Sequence, residues 1–372
     1  MNKGGGGLWV LGLLAILVIV GLFLALVFVG DGTDLADEGP VGEDAPPGGG
    51  DDGEVDPFGD PGSGLPGLGG DLQFRPDSVA VDADSVWVSD VNCGVVVKID
   101  KASEEVVASI DLGSGSAGVA VADGSVWVGT RGDGRLVRLD PDELLVEDVV
   151  VVDGYALGLA ATADEVWATD PISALVYRVD ADTNEVLDTV EVGQNAHHIA
   201  IADGAAWITN TSDDTVSRVD LVTDVVVEVP VGFWPLHVEA GEGALWVTNN
   251  VDGTVSQLDP ATGDELAAID VGVAPHALAV VAGSVWVGSD GSGLWRIDPA
   301  TGVSEPVPDT DFSSIDTAVD GTDIWVADSN GAAVVRFDAA AGAIGSTIEL
   351  AEFGDCETFR SEAVTPPLVG AV

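Results

Sequence analysis

The chain has 372 residues, with 64 Asp and Glu against 12 Lys and Arg, for a formal net charge of −52. Nucleic acid and anionic head groups need a basic patch to neutralise phosphate, so both are poor partners for its folded part. A broad acidic surface with few lysines suits high salt, where screening relieves self-repulsion; loss of folded signal between molar and low salt is the expected result, and indifference to salt contradicts it.

Residues 1–7 carry Lys3 and form a short N-terminus. Residues 8–29 are a 22-residue apolar run without a charge, long enough at ~1.5 Å per residue to cross a ~30 Å hydrocarbon core. A cleaved signal peptide is the rival reading, but its apolar region usually runs only about 7–15 residues before a small-x-small site. This run is longer and ends in Val27-Phe28-Val29-Gly30. A retained transmembrane anchor is therefore expected. Lys3 precedes it and no base follows until Arg75, which puts the N-terminus inside and the rest outside, a single-pass protein of the cell membrane. Residues 30–72 hold twelve Asp or Glu and no base; such a Gly/Pro/acidic segment cannot offset its ordering entropy and reads as a disordered stalk. With −12 there and +1 at Lys3, a net −41 falls on residues 73–372.

Residues 73–355 read as the folded domain, with 356–372 as a tail. Seven tryptophans, Trp87, Trp127, Trp167, Trp207, Trp246, Trp286 and Trp325, recur every 39 or 40 residues. A period near 40 with short strands inside it marks a radial repeat of four-stranded sheets. Blade five shows the phrase: a strand from Pro235, a Gly-bearing turn at Gly243, a strand around Trp246, a strand from Thr254 to Leu258 and another from Glu265. Asp259-Pro260-Ala261-Thr262-Gly263 is hairpin chemistry, repeated at Asp298-Pro299-Ala300-Thr301-Gly302. The expected fold is all-β: a seven-bladed β-propeller of four-stranded antiparallel blades, monomeric, preceded by one transmembrane helix and the stalk. One blade cannot bury its two apolar faces alone, so the column tryptophans are expected to fill the wedges between blades. Trp234 and Trp295 lie outside the column, and Trp234, before Pro235 in an inter-blade loop, is the candidate for an external contact.

All four histidines fall nine or ten residues before column tryptophans, on three consecutive blades: His197, His198, His237 and His276. Asp316 holds the same place in blade seven. Histidine with Asp or Asn on convergent loops can hold a divalent ion such as Mg, Ca or Zn, or act as acid and base. His198, His237 and His276 are the candidate metal ligands, and with Asp316 the candidate catalytic groups. On an unbroken extended segment His197 and His198 point to opposite sides, so one of them is expected to face the channel with His237. Three residues after each Trp stand Asp90, Thr130, Asp170, Asn210, Asn249, Ser289 and Asp328, a polar ring expected at the same mouth and, with Trp234, the candidate ligand contacts. Asn210-Thr211-Ser212 also reads as a glycosylation sequon. Cys93, after the second strand of blade one, and Cys356, past the last strand of blade seven, are expected to clasp the ring as a disulfide if their Cα atoms come within about 7 Å; two buried thiols are the alternative.

Trp207-Ile-Thr-Asn210 and Trp246-Val-Thr-Asn249, each followed by Asp, Thr-Val and Val/Leu-Asp, with Val-Gly-x-x-Pro-x-His before the next blade, resemble the YVTN-type repeat of YncE-like and surface-layer propellers. The phrases are also similar to those of the streptogramin B (virginiamycin B) lyase group, whose repeats carry Trp-Phe-Thr-Glu. That resemblance implies a seven-bladed ring and an activity using His, Glu and a divalent ion, with His276 in Ala274-Pro275-His276-Ala277 matching the histidine loop. The position three after Trp is Asp, Asn, Thr or Ser here and never Glu. Two functions stay open: a tethered extracellular module binding a protein, glycan or small molecule through its loop face, and a metal-assisted lyase or hydrolase at the channel mouth.

Overall fold

The computed structural model describes residues 74–350 apart from positions 114, 132 and 292; the expected anchor at 8–29, the stalk at 30–72 and the tail with Cys356 lie outside the described residues. The chain folds into seven sheets, each of four consecutive antiparallel strands. The inner strands are Pro76–Val81, Ser116–Ala122, Leu159–Ala161, Ala196–Ala202, Pro235–Gly241, Pro275–Val281 and Ser314–Asp320. Each packs beside the next, and that of blade seven returns to blade one. The seven-bladed ring read from the tryptophan period is the observed architecture.

Every column tryptophan sits on the second strand of its blade and is at most 4% exposed. Its cluster joins its own blade to the following one: Trp87 packs with Val96 and Ile110 of blade one and with Val119, Val126 and Val128 of blade two, and Trp207 with Val216 of blade four and with Val238, Leu245 and Val247 of blade five. Trp325 packs on Val79, Val86 and Val88 and so closes the circle. Adjacent blades are thus held together by the hydrophobic burial of one large ring per wedge, which no blade achieves alone.

A second column escaped the sequence reading. Lys98, Arg138, Arg178, Arg218, Arg296 and Arg336 stand directly across the ladder from the tryptophans, with Gln257 in blade five. In five blades the cation lies 4.8–5.8 Å from the ring centroid, a cation–π contact contributing about 0.5–2 kcal/mol. Five of the chain's 12 bases therefore stack on wedge tryptophans. Many acids are structural too. Asp100, Asp140, Asp180, Asp220, Asp259, Asp298 and Asp338, one per blade, each accept backbone N–H groups two or three residues on in the turn between third and outer strands. Hydrogen bonds from Ser103, Thr183 and Thr223 hold Asp100, Asp180 and Asp220 below the ordinary carboxylate value.

The seam between blades seven and one is tied by polar groups as well. Ser78 Oγ–H and Val79 N–H donate to Asp316 at 2.6 and 2.9 Å, Lys101 reaches Asp320 at 2.7 Å and Arg336 reaches Glu104 at 3.0 Å. Cys93 is buried in the seam cluster with Trp325, Ile348 and Leu350 and is disulfide-bonded; Cys356, its expected partner, lies outside the described residues.

Candidate functional site

Six of the seven inner strands open with a register shift against the second strand, a β-bulge. In blade four the shift lies between Ala196 and Ile199 and leaves His197 and His198 outside the ladder. A bulge bends the strand and re-aims its side chains. The alternation expected for His197 and His198 is therefore lost, and both turn inward. His198 stacks on His237 with ring centroids 3.6 Å apart, and His197 meets His276 edge-on at 6.3 Å. Blades four and six have blade five between them, so His197 and His276 meet across the channel.

Backbone positions are fixed by a threonine two residues after the tryptophan. Thr209 Oγ1 accepts from His198 N–H at 2.9 Å and donates to the Leu236 carbonyl at 3.0 Å. Thr248 does the same between His237 N–H at 3.0 Å and the His276 carbonyl at 2.9 Å. Gly158 is required on the other side, since a Cβ there would collide with the His197 carbonyl oxygen. The threonine of the repeat thus stitches neighbouring bulges and aims the imidazoles.

His237 is buried, and His197, His198 and Asp316 are half-buried around it. Burial pushes His197 down to about 3 and His198 to about 4, and it drives His237 well below its usual value, with neighbouring imidazoles adding to each. All three are neutral at neutral pH. His197 and His198 each hydrogen-bond the backbone of blade five, at Leu236 and Val238, while their Nδ1 atoms are buried without a partner. One ring nitrogen each of His198 and His237 and one carboxylate oxygen of Asp316 lie within 4.8 Å of one another. Burial raises Asp316 to about 6, against hydrogen bonds from Ser78, Val79 and Thr317.

A further carboxylate escaped the sequence reading. Across the ladder from the column tryptophans stand Ala80, Ala120, Ala160, Ala200, Ala279 and Ala318, but in blade five Glu239 faces Trp246. Burial lifts Glu239 to about 7, and the charge of Asp316 adds to the rise. The break in the alanine column was visible in the sequence as a Glu two residues after His237.

No known family model matches the chain, and no curated protein matches it either. Solved structures do match. A streptogramin B lyase aligns at 16% identity and TM-score 0.61, over 69% of this chain and 91% of that one. A functionally unknown protein of Desulfotomaculum acetoxidans DSM 771 aligns at 15% identity and TM-score 0.62, over 77% and 100%. BamB from Moraxella catarrhalis aligns at 16% identity and TM-score 0.54, over 70% and 84%. In fold, the chain is a streptogramin lyase-like seven-bladed propeller. At these identities the likeness is one of architecture.

In the ring, the polar residues expected to contact a ligand lie at the ends of the second strands. Asp90, Asp170, Asn210, Asn249 and Asp328 are all buried and engaged by the fold. Asp90 accepts the N–H groups of Cys93 and Arg75, Asp170 those of Ile172 and Ser173, and Asp328 those of Ser313 and Gly331. Desolvation raises Asp90 to about 7. Asn210 Nδ2 donates to Thr215, Ser217 and Glu228, so its sequon is not presented. Asn249 repeats the pattern with Thr254 and Ser256. His276 is brought to His197, while the three side chains close enough together to hold an ion are His198, His237 and Asp316. Trp234 is 43% exposed beside Phe233 at 61%.

Proposed function

We propose that the channel mouth is a divalent-metal site at which the ring acts on a small ligand as a lyase or hydrolase. The juxtaposition of His198, His237 and Asp316 from blades four, five and seven carries this reading. His198 fits a ligand's role: one nitrogen anchored on a blade-five backbone group, the other buried, neutral and without a partner. Two imidazoles and a carboxylate suit zinc or another first-row ion better than magnesium or calcium, which favour all-oxygen sets. Such an ion, when bound, supplies Lewis acidity toward a carbonyl or activates water. Glu239, poised near neutrality, would take up or deliver a proton beside it. Asp316 also ties blade seven to blade one, so the ligand set is coupled to ring closure. Lactone and ester substrates test the reading. Turnover lost on chelation and in His237→Ala is expected, whereas turnover indifferent to both would contradict it.

A second reading, a loop-face interaction module held outside the cell by the 8–29 anchor, is favoured by Trp234. Asn195, Trp234 and Ala274 occupy equivalent inter-blade positions with φ of 60°, 61° and 51°. Asparagine tolerates this left-handed region, but a bulky residue there costs roughly 1–2 kcal/mol. Backbone N–H bonds from Phe233 to Asp252 at 2.8 Å and from Trp234 to Asp214 at 3.0 Å hold the pair outward. Trp234→Asn is expected to raise the thermal midpoint by a few degrees; a fall would show that the ring packs for stability.

A further inference from the structure

Arg131 is a cation that reaches toward the channel. Lys98, Arg138, Arg178, Arg218 and Arg296 stack on column tryptophans, Arg336 bridges Glu104 and Asp323, and Lys101 bonds Asp320 and turn carbonyls. Arg131 follows the second strand of blade two, yet its Nη2 meets Asp77 of the blade-one inner strand at 3.2 and 3.5 Å. Its charge also acts on His197 of blade four. A side chain that touches blade one and influences blade four from blade two must lie over the channel.

The contact with Asp77 is incomplete. It uses one guanidinium nitrogen, at distances longer than the ~2.7–2.9 Å of a strong charge-assisted bond, while Nε is without a partner and the side chain is 37% exposed. A guanidinium offers five donors in a planar fork matched to a bidentate carboxylate. Arg138 and Arg178 meet their carboxylates more closely, at 2.9 Å from Glu147 and at 2.9 and 2.6 Å from Glu165 and Asp224, whereas the exposed Arg296 pairs with Glu305 only at 3.6 Å. Residues 73–372, with a net −41, repel anions in general, so admitting one at the mouth requires a dedicated cation.

We infer that Arg131 is an anion-recognition residue of the channel mouth, and that Asp77 is an internal carboxylate which the carboxylate of a ligand displaces from it. The inference rests on the channel-mouth site proposed above and narrows its ligand to molecules bearing a carboxylate. Asp77 is an intramolecular competitor: it partly neutralises the guanidinium when no ligand is present and sets a threshold that weak anions fail to cross. A purely structural ion pair makes no such demand, since removing its acid would free nothing for use.

The test is acetate titration of the full-length chain followed by the NMR signals of its four histidines, with and without zinc. Saturable shifts at His197 are expected in the parent protein. Asp77→Asn should bind acetate at least fivefold more tightly, and Arg131→Gln at least tenfold more weakly, with Arg131→Lys between Gln and the parent. Equal or weaker binding by Asp77→Asn overturns the inference, even if Arg131→Gln fails to fold. The metal reading is judged separately: acetate behaviour as stated without zinc binding would leave Arg131 assigned and remove the metal.

Discussion

Replacing Trp127 with alanine is expected to lower the unfolding free energy by about 3–5 kcal/mol, the range for truncating a buried Trp. Trp127 is wholly buried in a cluster that joins Leu136 and Val150 of blade two to Val166 and Val179 of blade three. Alanine would leave a cavity in the wedge and strip Arg138 of the ring it covers at 5.5 Å. The loss falls on an interface between blades, so both lose support together. Denaturant unfolding of the variant beside the parent measures it. A loss under about 1 kcal/mol would mean that the wedge collapses around the gap.

Glu239→Gln is expected to stabilise the ring at pH 8 by on the order of 1–3 kcal/mol and to have little effect at pH 4. Burial raises Glu239 in the folded state to about 7, above the ordinary 4.5. Between those values the folded state binds more protons than the unfolded one, so the parent loses stability as pH rises through that window. Glutamine keeps the volume and has no charge to desolvate. The gain should therefore grow from pH 4.5 to about 7 and then level off. Asp90 and Asp316, raised to about 7 and about 6, tilt the parent's profile the same way. The histidines oppose it: held neutral in the fold, they lose stability as pH falls from 6.5 toward 4. Opposite slopes place the parent's optimum in mildly acidic solution. If the residue serves in proton transfer, the same variant should turn over lactones more slowly while melting higher.

The ring was legible because one residue type kept the period. Trp87 through Trp325 fill equivalent wedges, and a mis-spaced blade would have broken the circle. Asp259 and Asp298 announced their hairpins through Pro and Gly. The same aspartate was hidden in blades one, three and four, where Asp100, Asp180 and Asp220 cap their turns with neither, while Asp140 keeps only Pro141 and Asp338 only Gly342. The opposing bases were missed for a similar reason: Lys98, Arg138 and Gln257 share a register position but not a letter.

The site was legible in membership and not in geometry. Fixed spacing gathered the four histidines and Asp316, yet the bulge at His197 and His198 does not follow from alternation, and it decides that both turn inward. Asn210 and Asn249 were expected at the mouth because their strand ends there. Short side chains beside strand ends are drawn instead to unsatisfied groups within the sheet, here the hydroxyls of Ser217 and Ser256. Glu239 was readable as the exception to an alanine column seven residues before each tryptophan, but its place opposite Trp246 came only from the ladder.

The decisive measurement is the zinc content of the full-length chain after equilibration with the ion and removal of the excess, beside His198→Ala/His237→Ala and Asp316→Asn. About one ion per chain, retained by the parent and lost from the double histidine variant with no loss of strand content, is the result the account predicts. A parent that holds no ion, or a double variant that holds as much as the parent, would contradict it.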